Sequence, residues 1–142
     1  MGIAAGQPVV GMVANMNRPV KGIRYFLKAI PRILSERPDT YFLLVGGGGE
    51  AQDHRRRVKE LGIEDRVIFS GFREDVTPFY ELMDVSVLSS LSEGLSITLL
   101  ESMSRTIPVV ATRVGGNTEV ICNGDTGYLV TPKDPSALAE RI

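Results

Sequence analysis

Metal sites and disulfides need residues that this sequence scarcely has. Its 142 residues hold one cysteine, Cys122, and one histidine, His54. A lone cysteine excludes an intramolecular disulfide and fits a reducing compartment, and the two residues offer no His/Cys metal cluster. Cys122 reads as inert filling rather than as a catalytic thiol. Tryptophan is absent, and the formal net charge is only −1. Without a global field to draw in nucleic acid or an anionic bilayer, any anion must be bound by local groups. No apolar run approaches the ~20 residues that span a membrane, and the start MGIAAGQP lacks the basic-then-apolar order of a signal peptide. It also lacks the hydroxyl of a myristoylation signal, since that position is Gly6. Met1 and Gly2 read as an added start, and the expected location is the cytoplasm.

The composition that remains, 43 % hydrophobic and 23 % charged, is that of a folded domain. It is expected to form one unit over 1–142, burying roughly 68–70 % of its unfolded surface. Short β-rich runs alternate with stretches of helical period, the pattern of βα units around a parallel sheet. Six strands are expected: Val9–Ala14, Tyr41–Val45, Arg66–Phe69, Asp84–Leu88, Pro108–Ala111 and Gly127–Val130. After the first, Ile23, Phe26, Leu27, Ile30, Ile33 and Leu34 form an apolar stripe, with Pro31 expected to kink that helix or to mark its tighter end. Further helices are expected over Glu50–Leu61, with Val58 and Leu61 inward and Gly62 as C-cap, over Val76–Met83, Leu95–Ser104 and Asn117–Cys122, and from Asp134 onward. Asp134 caps and Pro135 starts that last helix, which has run only about two turns at Ile142, so the chain reads as part of a longer polypeptide.

In a doubly wound sheet, ligands sit beyond the carboxyl ends of the strands. The loops there read NMNRPVKG, GGGGE, SGFRED, SSLSEGLS and TRVGGNTE, all rich in glycine, charge or hydroxyls. The cluster Gly46–Gly49 follows the second strand and matches neither GxGxxG nor a Walker loop; it is a flexible βα turn or a variant nucleotide loop. HRRRVK, from His54 to Lys59, is the wet face of a helix or, less simply, a nucleic-acid contact.

The stretch SEGLSITLLESM, from Ser92 to Met103, carries the sharpest signal. If a helix starts at Leu95, Gly94 allows close backbone approach. The free N–H groups of Leu95, Ser96 and Ile97 then face a ligand, with the positive end of the helix behind them. Eight residues of helical rise would set Glu93 and Glu101 roughly 12 Å apart along the axis. That is about the reach of a ribosyl diphosphate sugar, whose hydroxyls two acceptor-only carboxylates could hold. Alternatively, Glu93 merely complements the helix dipole and Glu101 is solvated.

SEGLSITLLESM, PVVATRVGGNTEVI and GDTGYLVTPKDPSALA together resemble the C-terminal, nucleotide-sugar-binding domain of retaining GT-B glycosyltransferases of family 4, the glycosyl transferases group 1. That family's signature is two glutamates separated by seven residues. RPVKG, LLVGGGGE, VIFSGF and DVSVLSSLSEG fall in the same order, so the resemblance runs through essentially the whole chain. It implies a Rossmann-like α/β domain, the C-terminal half of a GT-B fold, whose N-terminal acceptor domain lies outside this sequence. Lys21 would neutralise the donor diphosphate, Glu101 would bind the ribose, and Glu93 would contact the transferred sugar. Backbone amides from Gly94 through Leu95 and Ser96 to Ile97 would hold phosphate oxygens, while Gly71, Phe72 and Arg73 would border the base. The donor would be a UDP-, GDP- or ADP-sugar, used without a metal or other cofactor. The resemblance also implies that the domain alone is inactive, that it takes no nucleic acid, and that the full-length enzyme is open to peripheral membrane attachment.

Three departures stand out. The family often has Arg six residues before the lysine; here that position is Asn15, with Arg18 on the intervening loop as a substitute. The second glycine of EGFG is Ser96, whose hydroxyl could touch phosphate or cap the helix. Ser104, Arg105 and Thr106 stand where small and glycine residues are usual, which questions the turn before Pro108. Rival readings are a GT-B sugar-nucleotide epimerase or phosphorylase, and a non-enzymatic flavodoxin-like domain; the last wants an acidic cluster after the first strand, where this chain has NMNRPVKG.

Overall fold

Six parallel strands carry the architecture of the computed structural model, which describes residues 2–142; the added start read at Met1 lies outside them. The strands are β1 (Val9–Val13), β2 (Tyr41–Val45), β3 (Val67–Gly71), β4 (Val85–Leu88), β5 (Val109–Thr112) and β6 (Tyr128–Val130). The helices are α1 (Ile23–Glu36), α2 (Ala51–Glu60), α3 (Thr77–Tyr80), α4 (Ile97–Ser104), α5 (Asn117–Val120) and α6 (Pro135–Arg141), with a 3₁₀ turn at Pro19–Lys21. All strand pairings within the sheet are parallel, in the order β3-β2-β1-β4-β5-β6. This is a doubly wound, Rossmann-like sheet. Its order reverses between β1 and β4, the switch point where such sheets place their ligands.

Period-two alternation along the strands assigns the two faces. Val10 and Met12 of β1 with Phe42 and Leu44 of β2 pack in one cluster with the stripe of α1, with Val58 of α2 and with Leu138 of α6. On the opposite side Val9, Leu43 and Val45 meet Tyr80 and Met83, while Leu88, Val109 and Ala111 meet Leu99 of α4 and Ile121. Helices therefore cover both faces, and the central strands β1 and β4 are apolar but for Gly11 and the buried Ser86.

Several boundaries differ from expectation for local reasons. Helix α1 continues through Pro31 to Glu36, so the proline is not its end; buried Ile30 and Ile33 on either side hold the helix to the sheet. Helix α2 buries His54 as well as Val58, and Leu61, just past its end, is half-buried against the same core. Its end is as expected: Gly62 has φ 66°, with Gly62 N–H donating to Lys59 O at 3.0 Å and Ile63 N–H to Val58 O at 3.2 Å, a Schellman ending. Strand β3 runs on to Gly71, and α3 is a single turn. Helix α4 begins at Ile97, two residues later than expected, because Ser96 is its N-cap: the Ser96 hydroxyl accepts from Leu99 N–H at 3.3 Å. Asp134 caps α6 through Ala137 N–H at 2.9 Å, with Pro135 in its first turn, as expected. No described helix is long and apolar enough to cross a membrane.

Candidate functional site

At the switch point a small crevice opens between the ends of β1 and β4, lined among others by Val13, Lys21, Ser90, Glu93 and Thr98. Each side chain reaches it for a local reason. Lys21 ends the 3₁₀ turn that leaves β1, and Gly22 after it takes φ 64°, which turns the chain sharply into α1. A side chain at Gly22 would collide with Ser89 O, so the β1 and β4 loops lie backbone to backbone here. They are also bonded together. Leu91 N–H donates to Val20 O at 2.7 Å, and the Ser89 hydroxyl lies 3.0 Å from Gly22 O and 3.2 Å from Lys21 O.

Lys21 Nζ donates to Glu93 Oε1 at 2.6 Å, closing an ion pair across 72 residues. The Ser90 hydroxyl donates to the same oxygen at 2.6 Å, and Thr112 Oγ1 in turn donates to Ser90 O at 2.5 Å. The Glu93 side chain is 9 % exposed and that of Lys21 21 %. This pair is thus partly withdrawn from water, where attraction and desolvation cost rise together. Among the described residues Glu93 Oε2 makes no hydrogen bond, so one carboxylate oxygen is anchored and the other is available.

Beneath Glu93 lies the pair Gly115–Gly116. A Cβ at Gly115 would strike Glu93 O, one at Gly116 would strike Gly94 O, and Gly116 N–H donates to Gly94 O at 2.9 Å. Asn117 Nδ2 then donates to Thr112 O at 3.0 Å, joining this loop to the end of β5. The β5 loop is therefore a platform for the Glu93–Gly94 backbone, a role that only residues without side chains can fill.

Helix α4 starts beside the ion pair. Its first-turn amides at Ile97 and Thr98 have no intrahelical acceptor, while Leu99 N–H is taken by the Ser96 cap. Leu95, with its side chain exposed, and Ser96, the N-cap, precede the helix, and Thr98 joins Ile97 in its first turn. Glu93 lies four residues before Ile97. Eight steps of helical rise therefore do not describe its separation from Glu101, which sits within α4. The two acids are held by different partners: Glu101 Oε2 accepts from the Tyr80 hydroxyl at 2.9 Å, and burial together with the Glu101 carboxylate pushes that phenol well up from its ordinary value.

The remaining predicted residues lie at the end of β3 and on the loops after β1 and β3. Gly71 ends β3 with φ 74°, Phe72 after it is 74 % exposed, and the Arg73 guanidinium lies 5.6 Å from the Phe79 ring centre. Asn15 Oδ1 accepts from Asn17 N–H at 2.8 Å, shaping its own loop. Arg18 lines a different crevice, with Arg24, Glu50, Arg57 and the buried His54. In the glycine cluster, a Cβ at Gly46 would strike Ala14 O and one at Gly48 the backbone at Met16–Asn17, so these residues admit the β1 loop. The basic run is exposed at Arg55, Arg56 and Lys59, as a wet helix face should be, but His54 is buried in it.

Sequence reasoning missed Ser90, Thr98, Tyr80 and the Gly115–Gly116 platform. Ser90 and the glycines lay in loops marked by composition, but nothing local shows which carboxylate a hydroxyl or a glycine will meet.

The family described as glycosyl transferases group 1 matches residues 7–142. The N-acetyl-alpha-D-glucosaminyl L-malate synthase of Bacillus anthracis is 37 % identical over 140 residues, 99 % of this chain and 36 % of its own. The lipopolysaccharide core biosynthesis glycosyltransferase LpsE of Rhizobium meliloti is 34 % identical over 133 residues, 92 % of this chain and 38 % of its own. Among solved structures, Anabaena Alr3699/HepE in complex with UDP and glucose superposes with a TM-score of 0.89 at 30 % identity, covering 98 % of this chain and 38 % of that one. The C-terminal domain of a Francisella tularensis group 1 glycosyltransferase, LpcC, gives 0.84 at 29 % identity, covering 95 % of this chain and 73 % of that one. The chain thus spans little more than a third of the length of these two curated relatives.

Proposed function

Because the chain belongs to the glycosyl transferases group 1, we propose that it is the donor-binding domain of a retaining enzyme of GT-B family 4, taking a nucleoside-diphosphate sugar without a metal. The observation that carries this reading is the meeting of Lys21 and Glu93 beside the open first turn of α4, at the switch point of the sheet. An ammonium has three donors, so Lys21 can keep Glu93 while directing its other protons to a diphosphate. The amides of Ile97 and Thr98 would add two more donors with the helix dipole behind them.

Departure of the nucleoside diphosphate builds negative charge on its bridging oxygen. A lysine and helix amides already aimed there stabilise that charge more in the transition state than in the ground state. Glu93, anchored through Oε1, would offer Oε2 to a hydroxyl of the transferred sugar. Glu101 would accept from the ribose, and the exposed Phe72 ring would lie along the base. The chain alone should not transfer sugar, because holding an acceptor and excluding water need a facing domain. Some relatives and neighbours do carry names consistent with such a donor, including the UDP complex above.

Calorimetric titration of the chain with UDP, GDP and ADP, and with a sugar conjugate of each, tests the reading. Saturable binding of at least one nucleotide is expected. No heat from any of them at millimolar concentration would sink it.

A further inference from the structure

Resting on the donor-binding reading, we propose that Tyr80 is a positioning residue for recognition of the ribose diol: its phenol holds the Glu101 carboxylate in the orientation that accepts sugar hydroxyls. Tyr80 ends the one-turn helix α3 and is 0 % exposed. From this buried position its hydroxyl reaches Glu101 Oε2 at 2.9 Å. Among the described residues the Glu101 carboxylate has no other hydrogen-bond donor, leaving Oε1 and the second lone pair of Oε2 for a ligand.

A glutamate on a helix surface ordinarily samples many rotamers, and ordering it costs conformational entropy. Contact with a fixed phenol means that this cost is met on folding rather than on binding. The phenol is itself fixed. The Arg105 guanidinium lies 4.9 Å from the Tyr80 ring centre, Arg105 Nη1 donates to Glu101 O at 3.0 Å, and Nη2 lies 3.4 Å from Thr77 Oγ1. One guanidinium thus joins α3 to the backbone of the residue that Tyr80 orients. Burial and the nearby carboxylate keep the phenol protonated through the neutral range, so it acts as a donor and leaves the carboxylate acceptor-only toward a diol.

Tyr80→Phe removes one oxygen and retains the ring beneath Arg105. The test compares wild type, Tyr80→Phe and Glu101→Gln, titrating each with the tightest-binding of UDP, GDP and ADP and with the 2′,3′-dideoxy form of that nucleotide. Melting curves verify folding, and a variant that melts early is titrated well below its own midpoint. Wild type is expected to prefer the ribonucleotide by roughly tenfold or more, the loss expected from charged hydrogen bonds. Both variants should reduce that preference to within about threefold. A purely structural Tyr80 would lower the melting temperature and leave the ribose preference intact. If Glu101→Gln loses the preference and Tyr80→Phe keeps it, the positioning role is wrong while the donor site stands. If Glu101→Gln also keeps it, the ribose assignment fails, and if wild type binds none of the nucleotides, the donor reading fails with it.

Discussion

Removing the Lys21 ammonium takes away the one cation that, among the described residues, is set against Glu93. Lys21→Ala should weaken UDP and its sugar conjugate alike, by roughly 10- to 100-fold, the range for a charge-assisted hydrogen bond. Glu93→Gln preserves shape and should leave UDP binding nearly unchanged while abolishing any additional affinity of the sugar conjugate. Calorimetry on both variants separates the two roles; an equal loss of both ligands in Glu93→Gln would contradict them. His54 is a second case at this scale. Its side chain is 9 % exposed, neither ring nitrogen has a hydrogen-bond partner among the described residues, and Glu50 Oε2 lies 3.8 Å from Nε2. Burial holds its pKa below the ordinary 6.5, with Arg57 lowering it further and Glu50 and Asp53 opposing. The unfolded chain therefore takes up this proton at a higher pH than the folded one. Stability contributed by neutral His54 is complete above about pH 7.5 and is lost as pH falls below 6.5 toward the folded pKa. Urea unfolding of wild type and His54→Gln across that window should show a shallower pH slope in the variant.

At the scale of single elements, the turn after α4 shows what a departure from the family pattern costs. Thr106 sits at φ 57°, in the left-handed region that β-branched residues avoid. The turn that Ser104, Arg105 and Thr106 called into question does form, with Thr106 in the strained conformation and its hydroxyl donating to Arg105 O at 2.7 Å. Thr106→Gly should relieve about 0.5–1 kcal/mol after the entropic penalty of glycine and raise the melting temperature by roughly 2–4 °C. Calorimetric melting checks this. A decrease would mean that the hydroxyl contact outweighs the strain. Ser96 illustrates the opposite outcome, since its replacement of glycine supplies the cap of α4 and sets where the open amides begin. Ser96→Ala should cost about 1 kcal/mol of stability.

For the whole molecule, the site depends on four loops interlocked at one end of the sheet. The β1 loop is seated against Ser89 and the Gly46–Gly48 turn, and Glu93–Gly94 rests on Gly115–Gly116. Gly116→Ala places a methyl against Gly94 O, a backbone atom that cannot swing aside. It should destabilise by about 1–3 kcal/mol and, in the protein that remains folded, displace Glu93 and weaken sugar-conjugate binding more than UDP binding. Circular dichroism together with titration would distinguish this from simple unfolding.

Most of the fold was legible in the chain because its signals are local. Period-two runs, the stripe from Ile23 to Ile33, the Asp134–Pro135 start and the Gly62 stop each depend on neighbours a few residues away. The glutamate spacing was legible for the same reason, whereas the role of Lys21 was implied only by the resemblance to a family. What the chain by itself did not disclose is which loops meet. Placing β1 beside β4 is a long-range choice made by packing both faces of the sheet. That choice brings Lys21 to Glu93 across 72 residues, while the pairing of β4 with β5 gives Gly115 and Gly116 their role as a floor and the meeting of α3 with α4 sets Tyr80 on Glu101. Periodicity carries information over one or two turns; contacts between loops exist only once every strand has taken its place.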